Sequence, residues 1–327
     1  MQFTDRMGRR LKLQDLHVLM TVVQAGSMGK AAERLNTSQP NISRSIADLE
    51  HAFGVRLLDR HRQGVEPTEF GRALLHCGAT VFDDLRQGVK SIEFLADPSA
   101  GELKIGSTHF VANSFVPAVI DQLSRRYPRI AFHVVSGNTE TQHRDLHERN
   151  VDLLVAWRAN PFADDDRLDF EVLYDDTLVI AAGAQSPWAR RRKTELAELV
   201  NEPWALPPPE SGIGAVAMRA FRALGLEYPR ATVASFRTEV RMSMLTTGRF
   251  LTIVPTSGLR FPAPRAELKA LTVELPMAAI PIGIVTLKNR TLSPVAKLFI
   301  EHAREVAKPL AKAPMASRPT RASRRSV

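Results

Sequence analysis

Apolar positions over residues 13–53 recur with the spacing of helices rather than strands. Leu13, Leu16, Leu19, Met20 and Val23 make one stripe, and Ala31, Ala32 and Leu35 a shorter second one. Ile42, Ile46, Leu49 and Phe53 make a third, at steps of 4, 3 and 4. Three helices are therefore predicted. Ser27 is placed to cap the second, Asn36-Thr37 to turn the chain, and Ser38 to cap the third. Pro40 falls in the third helix's first turn, where a missing N–H costs nothing, and Gly54 stops that helix. A short hairpin is predicted next: Val55–Arg60, a polar turn His61-Arg62-Gln63-Gly64, then Val65–Thr68. Thr68 is placed to cap a long helix from about Glu69 to Ala96.

The period changes at Glu102. Short β-branched runs (Leu103-Lys104-Ile105, Ile130 to Val135, Val151 to Ala156) alternate with helical stretches near 114–126 and 139–149. Such alternation predicts parallel sheets with crossover helices. Asp97-Pro98-Ser99-Ala100-Gly101 sits at the switch and reads as a hinge.

The third helix carries candidate chemistry. With its apolar stripe turned inward, Arg44 falls roughly opposite, Asn41 and Ser43 flank it, and Gln39 stands at the N-terminal end. Gln and Asn can bond adenine bidentately and Arg can bond guanine, so this tip can read base edges in a major groove. The Ala31-Ala32 pair lets two helices cross closely, as a helix-turn-helix requires. Arg60 and Arg62 on the hairpin can reach phosphates. The bland alternative is a helical hairpin used only for packing.

In order and in register, several elements match a known pattern. They are Ala31-Ala32-Glu33-Arg34-Leu35, Ser38-Gln39-Pro40-Asn41-Ile42-Ser43-Arg44, Gly54-Val55-Arg56-Leu57-Leu58-Asp59-Arg60, and Pro67-Thr68-Glu69-Phe70-Gly71. Residues 13–75 resemble the N-terminal domain of LysR-type transcriptional regulators. The resemblance implies a winged helix-turn-helix over 11–68 that touches double-stranded DNA through Ser27, Ser38, Gln39, Pro40, Asn41, Ser43, Arg44, Arg60 and Arg62. It further implies a linker helix over 69–96 that dimerises the chain, with a tetramer as the family expectation and RNA polymerase as a further candidate partner. Leu74, Val81, Gly88 and Leu95 recur every seven residues in support of such pairing, with Leu85 and Ile92 beside them. Packing within one chain is the alternative.

After the 97–101 hinge, the same resemblance implies a periplasmic-binding-protein-like effector domain over 102–307. Its two Rossmann-like lobes are expected at 102–178 plus 256–307 and at 179–255. The pieces that carry this looser match are Gly101–Gly106, Val151–Ala156 and Thr247–Pro255. Ligands of such sheets bind beyond the carboxyl ends of strands, near helix N-termini. Ser107, Thr108, His109, Thr139, Arg158, Ser211, Arg237 and Thr256 are the effector-site candidates. The expected effector is small: a carboxylate, paired by Arg158 or Arg237, or a sugar-derived catabolite.

Charge sharpens this division. Of the net +9, residues 1–68 hold 10 Lys/Arg against 7 Asp/Glu, residues 308–327 hold 6 against none, and the middle balances. A neutral middle with basic ends fits a sensor tethered to something that touches a polyanion. The basic tail is expected to be disordered and solvated. The single Cys77 excludes an intrachain disulfide, indicates a reducing compartment and is read as a small buried residue. No apolar run approaches a bilayer span, so a cytoplasmic protein without membrane contact is expected.

Enzyme signals are weak, and neither catalysis nor a cofactor is expected. His143 and His147 are four apart on a predicted helix, but Arg144 stands where a metalloprotease motif has Glu, so a solvated helix without metal is expected. Ser211-Gly212-Ile213-Gly214 lacks the third glycine of a dinucleotide loop, and Asp164-Asp165-Asp166 lacks calcium-loop spacing. Two other functions compete: an architectural nucleic-acid protein, and a periplasmic-type binding protein or small enzyme with an unrelated helical leader. The first would bind DNA without preferring a partly palindromic site, and the second without strong salt dependence.

Overall fold

The computed structural model describes residues 11–61, 64–158, 164–261 and 268–311. Arg62 and Gln63 of the hairpin turn and residues 312–327 of the basic tail lie outside them. The chain divides after Gly88 into two compact units.

The first unit opens with α1 (Leu13–Ala25), α2 (Met28–Arg34) and α3 (Gln39–Phe53). The stripes of α2 and α3 turn inward through Ala31, Ala32, Ile42, Ile46 and Leu49, with Leu35 and Phe53 half-buried. That of α1 holds only in part: Leu16 and Leu19 are buried, Met20 and Val23 half-buried and Leu13 exposed, while Val18 and Val22, outside the predicted stripe, are buried. Ser27 caps α2 as expected, its hydroxyl accepting the Lys30 N–H at 3.1 Å. Ser38 occupies the N-cap position of α3 but makes no side-chain cap. Pro40 has no N–H to give, and the Asn41 N–H is already held by the Ser38 carbonyl at 3.0 Å.

Gly54, at φ 70°, ends α3. A hairpin follows, β1 (Leu58–His61) against β2 (Gly64–Pro67). Its second strand is tied to the α1–α2 turn by the Val65 N–H on the Gly26 carbonyl, 3.0 Å. The 28-residue α4 (Glu69–Ala96) starts where predicted. The Thr68 hydroxyl accepts the Gly71 N–H at 3.0 Å and donates to the Arg56 carbonyl at 2.8 Å. Gly71 is required there, since a Cβ would lie 2.0 Å from the Leu57 carbonyl oxygen.

Leu85, Val89, Ile92 and Leu95 form an exposed apolar row along the later part of α4. Cys77, expected buried, is exposed. It sits one step round the helix from Gly78, which packs on Leu16 and Met20, so it is turned outward.

In the second unit two five-stranded mixed sheets form. The first contains β3 (Ala100–Thr108), β4 (Arg129–Gly137), β5 (Leu153–Trp157), β6 (Leu168–Asp176) and β12 (Ile280–Leu287), in the order β4-β3-β5-β12-β6. β3 runs parallel to β4 and β5, and β12 is antiparallel to both its neighbours. β5 is buried at all five positions, as a central strand covered on both faces must be. The crossovers are α5 (His109–Ala112), α6 (Phe115–Arg126) and α7 (Thr139–His147), with the C-terminal α11 (Pro294–Ala311) packed beside α6.

The second sheet contains β7 (Leu178–Gly183), β8 (Trp204–Leu206), β9 (Ala231–Ala234), β10 (Leu251–Pro255) and β11 (Leu268–Ala270), in the order β11-β7-β10-β8-β9. Its helices are α8 (Leu196–Leu199), α9 (Gly212–Ala223) and α10 (Thr238–Leu245). Two expectations change. Residues 256–307 do not all return to the first lobe, because β11 pairs with β7 in the second. The hinge is shorter than 97–101: Asp97 holds the Ser99 N–H in a tight turn and β3 already begins at Ala100. Among the described residues no helix is long and apolar enough to cross a membrane.

Candidate nucleic-acid interface and effector cleft

The inward stripe of α3 leaves its first turn outside. Ser38, Gln39, Pro40, Asn41 and Arg44 are all exposed. The Asn41 amide donates to the Thr37 hydroxyl at 3.2 Å, which steadies one member of this tip. Ser43 departs from the set. It is half-buried, with its hydroxyl 3.7 Å from Met28 Sδ, so it packs between α2 and α3. Ser27 is half-buried and occupied as a cap, while Arg60 is exposed on β1. Glu50, which with Ile46 and Leu49 belongs to the family pattern but is given no role by it, joins α3 to the hairpin by accepting the Leu57 and Leu58 N–H groups at 2.8 and 3.3 Å. Its side of α3 gave no apolar or cap signal to mark it.

In the second unit the lobes meet where α5 and the following Asn113 approach the start of α10. The Asn113 amide donates to the Glu239 carboxylate across the cleft. The chain enters the second lobe at Thr177, beside Thr256 at the end of β10, and returns to the first between β11 and β12. The Thr256 N–H bonds the Thr177 carbonyl at 2.8 Å, and the two hydroxyls lie 3.0 Å apart. Thr256 is thus part of this clasp.

The other effector candidates divide. Ser107 is buried and donates to the Val155 carbonyl at 2.7 Å, which spends its proton inside the sheet. Ser211 caps α9 and donates to the Pro208 carbonyl at 2.6 Å. Thr108, His109 and Thr139 are half-buried near strand ends, and Arg237 is exposed. Arg158 is exposed, its guanidinium over the Phe170 ring at 5.7 Å.

The structure adds groups that the sequence did not single out. Trp157 and Tyr174 flank Ile282 on neighbouring strands, which sets them in one row at the cleft end of the first sheet. Both are buried, and among the described residues neither the indole N–H nor the phenol oxygen has a partner within hydrogen-bond geometry, although the Ser257 hydroxyl lies near the phenol. Burial, reinforced by the Asp176 carboxylate, pushes the Tyr174 hydroxyl above its ordinary range, so it is a donor at neutral pH. Asp176 is itself buried and accepts from Ser257 Oγ at 2.5 Å and from the Thr177 N–H at 2.9 Å.

Arg241, on α10, is buried with carbonyl and hydroxyl partners: the Ser235 carbonyl at 2.6 Å and the Thr238 hydroxyl at 3.4 Å. Among the described residues its Nε has no hydrogen-bond partner, and desolvation, against the pull of Tyr228 and Glu239, brings the guanidinium down to about 10. A buried cation compensated mainly by neutral oxygens is an attractive place for an anion. No spacing rule could have marked it, because its burial depends on how the second lobe closes round α10.

Comparison with known proteins gives a consistent result. Residues 13–72 match the family described as bacterial regulatory helix-turn-helix protein, lysR family, and residues 96–308 match the LysR substrate binding domain. The chain is 26% identical over 289 residues to the HTH-type transcriptional regulator GbpR of Azospirillum brasilense, covering 88% of this chain and 84% of that one. It is 25% identical to the transcriptional dual regulator GltC of Bacillus subtilis (strain 168), covering 89% and 96%. Its fold is similar to that of a full-length OxyR variant from Pseudomonas aeruginosa (TM-score 0.65, 20% identity, 93% of this chain and 99% of that one). It is also similar to full-length CbnR, a structure solved in complex with its target DNA (TM-score 0.51, 21% identity, 91% and 100%).

Proposed function

The chain belongs to the LysR family of transcriptional regulators, and from that premise we propose that it is a cytoplasmic regulator whose promoter binding responds to a small anionic effector held between the two lobes. The exposed tip of α3 carries the DNA half of this reading. Gln39, Asn41 and Arg44 present amide and guanidinium groups outward while Ile42, Ile46 and Leu49 anchor the helix behind them. Arg60 on the hairpin contributes a phosphate contact that positions the helix without reading sequence.

The effector half rests on Arg241. A carboxylate reaching it would add a hydrogen-bonded counter-charge to that of the more distant Glu239, with the Trp157 indole and Tyr174 phenol as further donors. Thr108, His109, Thr139, Arg158 and Arg237 remain candidates for the cleft rim.

A gel-shift on the DNA upstream of the chain's own gene, repeated across salt concentrations and with a panel of small carboxylates and sugars, tests the reading. Expected are preference for one partly palindromic site, steep salt dependence, and a shift in affinity with one carboxylate. Equal binding to all DNA would leave an architectural protein. Response to a neutral sugar alone would remove Arg241 from the site.

A further inference from the structure

A cluster outside both sites above brings together ligand types that the sequence keeps apart. His143 and His147 stand one turn apart on α7, ring centroids 4.5 Å from each other. Asp165 comes from the connection between β5 and β6. Its Oδ2 lies 2.8 Å from His143 Nε2 and 2.7 Å from His147 Nε2. One ligand atom from each residue lies within 4.8 Å of the other two. All three side chains are largely buried, at 21%, 17% and 10% exposure, so bulk water does not already solvate the group fully.

We propose that His143, His147 and Asp165 form a binding site for a borderline first-row divalent cation of the zinc type. Two imidazoles and one carboxylate suit zinc, cobalt or nickel, whereas magnesium and calcium call for mainly oxygen donors. A tetrahedral ion with ligands at about 2.0–2.1 Å needs donors roughly 3.3 Å apart. The present contacts are therefore about half an ångström too close, a gap that side-chain torsions on one helix and one connecting segment can open. The fourth position is left for water or another ligand.

Two cations bear on the idea. Arg144, which argued against metal in the sequence, is exposed and lies about 100° round α7 from His143. Arg167 grips the same carboxylate, with Nε on Oδ1 and Nη2 on Oδ2, each at 3.0 Å. It is 66% exposed, so it can keep Oδ1 and release Oδ2, orienting the ligand from outside as partners of metal-bound carboxylates do. Bound metal would fasten α7 to the connection that follows β5, within the first lobe.

The test uses the full chain stripped with chelator. Zinc is titrated by calorimetry and cobalt by visible absorption. One equivalent is expected, with four-coordinate cobalt bands lacking a thiolate charge-transfer band, and a rise in unfolding temperature on adding zinc. His143→Ala, His147→Ala and Asp165→Asn each weaken binding at least about tenfold, and Cys77→Ser does not. Absence of saturable binding by the wild-type chain overturns the proposal, whatever the variants do. So does binding that survives in the double variant His143→Ala/His147→Ala, or that disappears with Cys77→Ser.

Discussion

The Glu50 carboxylate on α3 accepts the backbone N–H of Leu57 at 2.8 Å, so the helix whose tip faces outward also fixes the entry of the hairpin. The same oxygen takes the Leu58 N–H at 3.3 Å. Arg60 follows two residues later, and Glu50 helps to set its position relative to Arg44, together with the Val65–Gly26 and Thr68–Arg56 bonds.

Replacing Glu50 with Ala leaves two half-buried N–H groups without their acceptor. The expected cost is about 1–3 kcal/mol. Urea unfolding followed by a probe in the first unit measures it. An unchanged midpoint would show that water replaces the carboxylate at no cost. DNA affinity should fall with the wing displaced.

Arg44 and Arg60 should fail differently. Arg44→Ala is expected to cost about 1–3 kcal/mol at the preferred site and much less on random DNA. Arg60→Ala should weaken both alike and reduce the salt slope by about one. Fluorescence anisotropy on two duplexes across a salt series separates the cases, and matching losses on both duplexes for Arg44→Ala would contradict base reading.

Asp176 should make acid stability run against the usual carboxylate trend. Burial, the largest influence, holds its folded carboxyl above 3.8 despite the Ser257 and Thr177 hydrogen bonds. As pH rises past 3.8 the unfolded chain gives up this proton first, so this group lowers stability until the folded carboxyl also ionises. In Asp176→Asn that loss is absent. The variant's unfolding free energy should therefore climb more steeply with pH over that window, as denaturant melts at successive pH values would record. Parallel curves for variant and wild type would mean that the folded carboxyl titrates normally.

The exposed row on α4 should be an oligomer contact. Ile92 is 69% exposed and Leu95 80%, values too high for large apolar side chains that serve only the fold of one chain. Ile92→Glu is expected to raise the dimer dissociation constant by at least tenfold, about 1.4 kcal/mol. Sedimentation over a concentration series reads it, and an unchanged dimer would place the contact elsewhere.

What the sequence could convey followed the range of the forces involved. The stripes of α2 and α3, the Leu16–Leu19 part of that of α1, the Ser27 cap and the Thr68 cap depend on neighbours within four residues, and these are legible. The Ser38 cap fails for an equally local reason, the missing N–H of Pro40, which could have been read. Ser107 looked like a free hydroxyl at a strand end, because nothing local reveals that Val155 lies alongside it. Asp165 joins His143 and His147 across 22 and 18 residues of chain, from a position outside any helix or strand. Three-residue β11 is too short to show any period. Arg241 was invisible because side-chain burial is a property of the closed lobe.

The bond between Thr177 and Thr256 has a mechanical consequence. The pair closes the β7–β10 ladder where the chain enters the second lobe, so an opening of the lobes is expected to turn about it. Displacement then grows with distance from it. A turn of a few degrees would scarcely disturb the paired threonines, while the Asn113–Glu239 bond across the cleft would have to lengthen or break. Whatever occupies the cleft would act on the same balance as that single bond.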